Sequence, residues 1–164
     1  MKPHSLPKAT IGKLSERLKN EQEAYRYYRY VSNCLRNKGM LIAAAYFEKE
    51  AQEELEHAHK LEKYATDWNT ELDFMPLPVP SSKETLEAII EESYKMEYAL
   101  LGHYEDDCVE ALNKGDISTF TFLQDFVNVQ REAVAGYADM LNMLDLFDKS
   151  DKNWIFNFEK KLFK

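Results

Sequence analysis

Apolar residues recur at intervals of three and four along four long stretches of the chain, which is the pattern of helices that bury one face. The stretches cover approximately residues 8–37, 40–66, 82–113 and 117–147. Gly39 is a typical stop for the first helix, because glycine adopts the left-handed backbone conformation without strain. The sequence therefore predicts an all-α fold built on four long helices.

A long connection, 67–82, joins the second and third predicted helices and contains the run Pro76-Leu77-Pro78-Val79-Pro80. Alternating prolines impose an extended path that is incompatible with a helix. The connection is long enough to run the length of a helical bundle, so the third helix is predicted to lie parallel to the second. The expected topology is an up-down-down-up four-helix bundle with one long crossover. Ser81 or Ser82 is predicted to cap the third helix.

A short fifth helix is predicted at about 152–163, with Trp154 and Phe158 on one side. Such a helix is too short to be stable by itself. Its aromatic side is therefore expected to pack on its own bundle or on a neighbouring subunit. The length of the chain predicts a single domain, 1–164, in which the bundle spans about 8–147.

One polar side chain interrupts the apolar stripe near the middle of each long helix. These interruptions are Glu21, Glu54, Glu97 and Gln130. His57 lies one turn after Glu54, and Glu-x-x-His is half of the signature of carboxylate di-metal sites in four-helix bundles. Because the middles of bundled helices lie at one level, we expect these five side chains to converge.

A metal ion would resolve the energetic problem that this pattern creates. An uncompensated buried carboxylate costs several kcal/mol or becomes protonated. Carboxylate oxygens and a neutral imidazole suit Fe(II), Mn(II) or Zn(II). The alternative is that the carboxylates are surface charges paired with basic side chains such as Arg26, Arg29 or Lys95.

The first helix offers two candidate carboxylates. Periodicity favours Glu21, because leucines precede it by three and seven residues, whereas polar residues occupy the same offsets before Glu23. Tyr28 shares the face of Glu21. Its phenol would either hydrogen-bond a metal ligand, donate an electron, or serve only in packing. The remaining histidines are expected to lie outside the site; these are His4, His59 and His103.

Charge and cysteine content narrow the functional classes. A net charge of −8 argues against a nucleic-acid partner and suits attraction of cations. No apolar run long enough to span a membrane occurs, and Met1–Leu14 lacks the apolar core of a signal peptide. Cys34 and Cys108 are isolated, which fits a reducing cytoplasm and no disulfide framework.

At these residues the chain resembles the ferritin family, most closely the prokaryotic non-heme ferritins. The matching segments are 51–57, 94–97, 119–124 and 127–130. The resemblance implies iron storage with ferroxidase activity: a di-iron centre that oxidises Fe(II) with O2 or H2O2, and Fe(III) mineral held in a shell of 24 subunits. It also implies that one iron takes Glu21, Glu54 and His57. The other shares Glu54 and takes Glu97, with Gln130 close by, and Tyr28 matches the site tyrosine of the family.

Departures from the family pattern refine these expectations. Leu55 occupies the position of the heme-ligating Met of bacterioferritins, so no heme is expected. The fourth helix lacks a second Glu-x-x-His, and in this respect the chain resembles the non-heme ferritins. Glu53 and Glu132 match a third iron site found in many prokaryotic members. Val129 and Ala133 replace two of its carboxylates, so this site is expected to be weak or absent.

Three alternatives remain open from the sequence. A discrete di-metal oxidase would use the same scaffold on an organic substrate and store no mineral. A non-catalytic helical assembly protein would take up no metal. A DNA-protecting mini-ferritin fits less well, because those proteins build their metal site between subunits and lack this long crossover followed by a fifth helix.

Overall fold

The computed structural model describes residues 1–163 and contains five helices. They are α1 (Lys8–Asn37), α2 (Leu41–Asp67), α3 (Leu86–Asn113), α4 (Ile117–Leu144) and α5 (Trp154–Leu162). No strand occurs in the part of the chain that is described. The prediction of an all-α fold is confirmed.

The chain forms two compact units. The first comprises residues 1–82 together with Phe163, and in it α1 packs against α2. The second comprises residues 83–162, and in it α3 packs against α4. Within residues 1–163, no helix is long and apolar enough to cross a membrane.

The buried faces of α1 and α2 coincide with the stripes of residues at helical spacing. All of the α2 stripe is buried, and most of the α1 stripe; the members are Phe47, Ala51, Glu54, Ala58, Leu61 and Ala65 on α2, and Ile11, Leu14, Leu18, Tyr25, Tyr28, Ser32 and Leu35 on α1. The fully buried side chains include Leu14, Leu18, Tyr28, Phe47 and Leu61. Polar links join the helices as well: Ser32 donates to the carbonyl of Ala44 at 2.8 Å, and Arg29 forms an ion pair with Glu48.

The beginning of the crossover is fixed to the N-terminal part of the same unit. The amide of Leu6 donates to the hydroxyl of Thr70 at 3.0 Å, and the amide of Asp73 donates to the hydroxyl of Ser15 at 2.9 Å. The proline run that follows is free of helix, as predicted. Its residue Val79 is exposed. The extended path therefore starts from an anchored position at the end of α2.

The stripe of α3 is buried along its whole length, whereas that of α4 is wider than predicted. On α4, Leu123, Gln130, Tyr137 and Leu144 are buried, but the stripe positions Val127, Val134 and Leu141 are only half-buried. Phe126 is buried on the flank of this stripe, and its ring stacks on Tyr104 of α3 at a centroid distance of 4.8 Å. Aromatic packing at that flank broadens the buried face of α4.

The short helix α5 packs its aromatic side within the second unit. Phe158 is fully buried, and its ring lies 5.1 Å from that of Phe147, in an edge-to-face arrangement. In the first unit, Phe163 lies against α2, with ring centroids 5.0 Å from Tyr46 and 6.0 Å from Phe47. Contacts within the chain therefore account for the burial of Phe158 and Phe163.

Helix ends agree with the sequence at some positions and differ at others. Gly39 has a φ of 80° just after α1, as its role as a stop requires. The predicted cap of α3 is wrong: the helix begins after Thr85, not after Ser81 or Ser82. The hydroxyl of Thr85 accepts the amide hydrogen of Ala88 at 3.2 Å, which satisfies one of the free donors of the first turn. The fourth helix also ends three residues before the predicted Phe147.

We expect Thr85→Ala to lower the free energy of unfolding by about 1 kcal/mol, because it removes the side chain that caps α3. Ser81→Ala and Ser82→Ala are the matched controls, since neither residue caps the helix. Both variants should have the free energy of unfolding of the wild type. Denaturant unfolding followed by circular dichroism measures all three variants. If Ser82→Ala lowered the free energy of unfolding and Thr85→Ala did not, this assignment of the cap would be wrong.

Candidate metal centre

Three buried side chains of the first unit meet between α1 and α2. Glu21 is 0% exposed, Glu54 is 5% exposed and His57 is 8% exposed. Atom Nδ1 of His57 lies 3.1 Å from Oε2 of Glu54 and 3.5 Å from Oε2 of Glu21. In residues 1–163 this is the one group of three or more His, Cys, Asp or Glu side chains whose ligand atoms lie within 4.8 Å of one another.

The helical geometry explains how the sequence builds this group. Glu54 and His57 are three residues apart, so α2 presents both on one face, one turn apart. Glu21 continues the stripe of Leu14 and Leu18, which turns it towards the buried side of α1. Because α1 packs on α2, the two faces bring an acid from one helix to an acid and an imidazole of the other.

The two separations measured from Nδ1 of His57 are compatible with a single bound cation. Ligand atoms held at about 2.1 Å from a metal ion lie about 3.0–3.4 Å from one another. The separations of 3.1 and 3.5 Å at Nδ1 are close to this range. Nδ1 faces both carboxylates, so it either donates a hydrogen bond to them or, without its proton, binds a cation beside them. Two carboxylates and one imidazole form a donor set that Fe(II), Mn(II) and Zn(II) accept.

Two acidic neighbours lie outside this group. Glu23 is half-buried and forms an ion pair with Lys19 at 3.3 Å, one turn away on α1. Glu53 has a side chain that is 47% exposed and pairs with Lys49 at 3.2 Å. Of the two carboxylates considered on α1, the structure therefore brings Glu21 to His57. It does not bring Glu53, the acid predicted for a third iron site, into the group.

Tyr28 is fully buried in the same unit, two turns after Glu21 on α1. Its ring stacks on Phe47 of α2 at a centroid distance of 5.8 Å and contacts Tyr27 at 5.4 Å. Packing therefore accounts for much of the burial of Tyr28. The position on the face of Glu21 agrees with the sequence pattern.

The other two predicted ligands belong to the second unit. Glu97 on α3 is 1% exposed, and Gln130 on α4 is also 1% exposed. Atom Oε1 of Gln130 has no hydrogen-bond partner among residues 1–163. Both side chains therefore occupy the buried faces that the stripes predict, and Gln130 retains an oxygen available to a ligand. The three histidines expected to lie outside the site, His4, His59 and His103, are all exposed.

The second unit also contains an open cavity, whose cysteine is poorly suited to bind a metal ion. An open cavity of about 550 Å³ lies between α3 and α4, and Glu105, Asp106 and Cys108 contribute to its lining. Burial raises the pKa of the Cys108 thiol above its usual range, and the neighbouring carboxylates of Asp107 and Glu105 add to the effect. A raised pKa keeps the thiol protonated at neutral pH, whereas metal binding requires the thiolate.

The fold and the buried acid–imidazole group define an all-α protein with a candidate carboxylate–histidine metal site. Comparison with known proteins specifies the family. A family model described as a ferritin-like domain matches residues 11–147, and the chain belongs to this ferritin family. Membership and fold support iron storage as its role.

Individual relatives agree with this assignment. The chain is 27% identical over 147 residues to a bacterial non-heme ferritin of Escherichia coli, with 89% of each chain covered. It is 29% identical over 143 residues to a bacterial non-heme ferritin of Campylobacter jejuni, with 86% of this chain and 85% of the relative covered. An open-pore ferritin of Archaeoglobus fulgidus has the same fold, with a TM-score of 0.90 at 22% identity, covering 96% of this chain and 98% of the other. The four-helix bundle with a short C-terminal helix is confirmed.

Proposed function

We propose that the chain is a ferroxidase that stores iron: it oxidises Fe(II) at a di-iron centre and retains Fe(III) as mineral in an oligomeric shell. The observation that carries this proposal is the buried group of Glu21, Glu54 and His57. Buried carboxylates are costly unless a partner compensates their charge, and a cation is a partner that all three side chains can share. Membership of the ferritin family supports iron as that cation.

The first Fe(II) would bind to Glu21, Glu54 and His57. The second would share Glu54 and take Glu97, with the Oε1 oxygen of Gln130 beside it. The support for this second position is the burial of Glu97 and Gln130 and the absence of a hydrogen-bond partner for that oxygen within residues 1–163.

The carboxylates supply the driving force for oxidation. Negative ligands stabilise Fe(III) more than Fe(II), because the attraction grows with the charge of the ion. Two Fe(II) ions give up one electron each. Together the two electrons and two protons reduce O2 to H2O2, or H2O2 to two molecules of water. Tyr28 is proposed as the phenol of the site, in hydrogen bonding or as a further electron donor.

The resemblance extends the proposal to the assembly and its surroundings. The proposed shell has 24 copies of the chain, and similarity to ferritins supports a homo-oligomer. The centre is proposed to work without heme, which the names of the bacterial relatives support. Glu53 stays a predicted ligand of a third iron position, and the cytoplasm stays the predicted location.

We expect Glu21→Ala to slow Fe(II) oxidation strongly, by about 100-fold or more, because a ligand of the first iron is lost. Glu23→Ala is the matched control: it removes a carboxylate two residues away that pairs with Lys19, so its rate should equal that of the wild type. Stopped-flow absorbance at two Fe(II) per chain measures both variants. The reverse ranking would assign the ligand of α1 to Glu23 and contradict the site described above.

The iron content of loaded protein separates storage from the activity of a discrete di-metal oxidase. After aerobic incubation with excess Fe(II) and gel filtration, storage predicts many more iron atoms per chain than the proposed centre can hold. A value of about two iron atoms per chain would contradict mineral storage and would indicate a di-metal catalyst, because the proposed centre itself holds two.

A further inference from the structure

A buried serine, Ser93, lies one helical turn before Glu97 on the face that α3 buries. The side chain is 0% exposed. Residues three and four positions away are its neighbours along the helix. Three of these four positions are apolar, namely Ile89, Ile90 and Met96, and the fourth is Glu97. Glu97 is therefore the one hydrogen-bonding side chain that α3 places beside this hydroxyl.

The hydroxyl of Ser93 has no hydrogen-bond partner among residues 1–163. Serine within a helix often donates to the carbonyl four residues earlier, but that bond is not formed here. A buried hydroxyl without a partner lowers stability relative to alanine at the same position. Ser32 offers the contrast: it is equally buried, and its hydroxyl donates to the carbonyl of Ala44 at 2.8 Å. Packing and hydrogen bonding explain Ser32 but not Ser93.

A second buried oxygen of the same unit has the same property. Atom Oε1 of Gln130, on the helix that packs against α3, lacks a hydrogen-bond partner within residues 1–163. Two such oxygens on the facing helices of one unit are costly if the fold is their only purpose. They are useful around a metal ion, where an amide oxygen binds the ion and a hydroxyl donates a hydrogen bond to a carboxylate ligand.

We propose that Ser93 is a positioning residue of the metal centre: when the ion is bound, its hydroxyl donates to the oxygen of Glu97 that does not bind the ion. This hydrogen bond fixes which carboxylate oxygen faces the metal and restricts rotation of the side chain. The inference rests on the proposed function, because it requires Glu97 to be a metal ligand. It involves no covalent or redox step.

Ser93→Ala tests the inference through metal binding and stability together. In anaerobic titration of the assembled, metal-free protein with Co(II), followed by visible absorbance, the wild type should bind about two ions per chain. In Ser93→Ala the weaker step should lose about tenfold in affinity, as is typical when a partner of a metal ligand is removed. The melting temperature of the metal-free variant should be unchanged or higher by about 2 °C, since the variant removes an unsatisfied hydroxyl.

Ser32→Ala is the matched control and should behave in the opposite way, with a lower melting temperature and unchanged Co(II) affinities. Ser93→Thr keeps the hydroxyl and should retain the wild-type affinity. If Glu97→Ala weakens the second Co(II) step but Ser93→Ala does not, the role of Ser93 is wrong and the proposed centre stands. If Glu97→Ala leaves both steps unchanged, the second iron position and the role of Ser93 are both wrong. A fall in the melting temperature of Ser93→Ala with unchanged Co(II) binding would show a purely structural hydroxyl.

Discussion

Replacing Glu54 and His57 together with alanine is expected to reduce the rate of Fe(II) oxidation by at least about 100-fold. The change removes two of the three ligands of the first iron, and losing even an outer partner of a ligand costs about 10–100-fold in metal affinity or activity. Glu54 is also the proposed bridge, so the second iron loses a ligand as well. The measurement is the initial rate in air, with Fe(II) below two equivalents per chain.

The helix that carries the site supplies a matched control. Glu56 and His59 are the same two residue types at the same spacing on α2, and both are exposed. Glu56→Ala with His59→Ala should therefore oxidise Fe(II) at about the wild-type rate. Equal slow rates in the wild type and in both double variants would show that oxidation occurs in solution, and the ferroxidase proposal would be abandoned.

Removing residues 150–164 is expected to abolish most of the large oligomer. The truncation removes α5, whose Phe158 is fully buried against Phe147, and Phe163, which lies on Tyr46 and Phe47 of α2. Deleting these rings uncovers the apolar side chains on which they pack, and exposed apolar surface of this kind disfavours the ordered contacts of the proposed shell. Size-exclusion chromatography with light scattering should then show species well below the mass of 24 chains.

Circular dichroism of the truncated chain distinguishes loss of assembly from unfolding. The four long helices account for most of the helical residues, so the ellipticity should fall only by the share of α5. A truncated protein that still elutes with the wild-type mass would contradict a role for this segment in assembly.

The helical framework could be predicted from the sequence because each long helix carries a stripe of apolar residues at helical spacing along its length, interrupted near its middle by one Glu or Gln. The first helix was predicted with the bounds that the structure has, since prolines precede it and Gly39 follows it. The end of α4 was missed because Leu146 and Phe147 continue the apolar pattern, whereas the structure leaves Leu146 81% exposed beyond the helix. Periodicity alone does not distinguish a buried turn from an exposed one.

The cap of α3 was missed for a related reason. Serine and threonine occur at 81, 82 and 85, and all of them are suitable N-cap residues. Which of them becomes the cap depends on where the backbone leaves the extended conformation, and Thr85 is the residue with φ −106° and ψ 153° that accepts the amide of Ala88. Local chemistry narrowed the cap to a few candidates without deciding among them.

Some features of the candidate site could be predicted from the sequence, and others depend on how the helices pack. Spacing on one helix predicted that Glu54 and His57 share a face, and the leucines before Glu21 predicted that this acid is buried. The distances of 3.1 and 3.5 Å depend on how α1 docks on α2, which no pattern within one helix determines. A functional role for Ser93 could not be predicted from the sequence, because a small polar side chain in a helical stripe is common and its missing hydrogen bond is visible only in the structure.

Glu21, Glu54 and His57 are proposed to bind iron, and anomalous diffraction would locate the bound ion among their side chains. Crystals of the assembled protein would be soaked anaerobically with Fe(II) and measured on both sides of the iron absorption edge. We predict an anomalous peak about 2.0–2.2 Å from a carboxylate oxygen of Glu21, from one of Glu54 and from Nδ1 of His57. Iron bound elsewhere in the crystal, with no peak among these three side chains, would show that they are not the iron ligands.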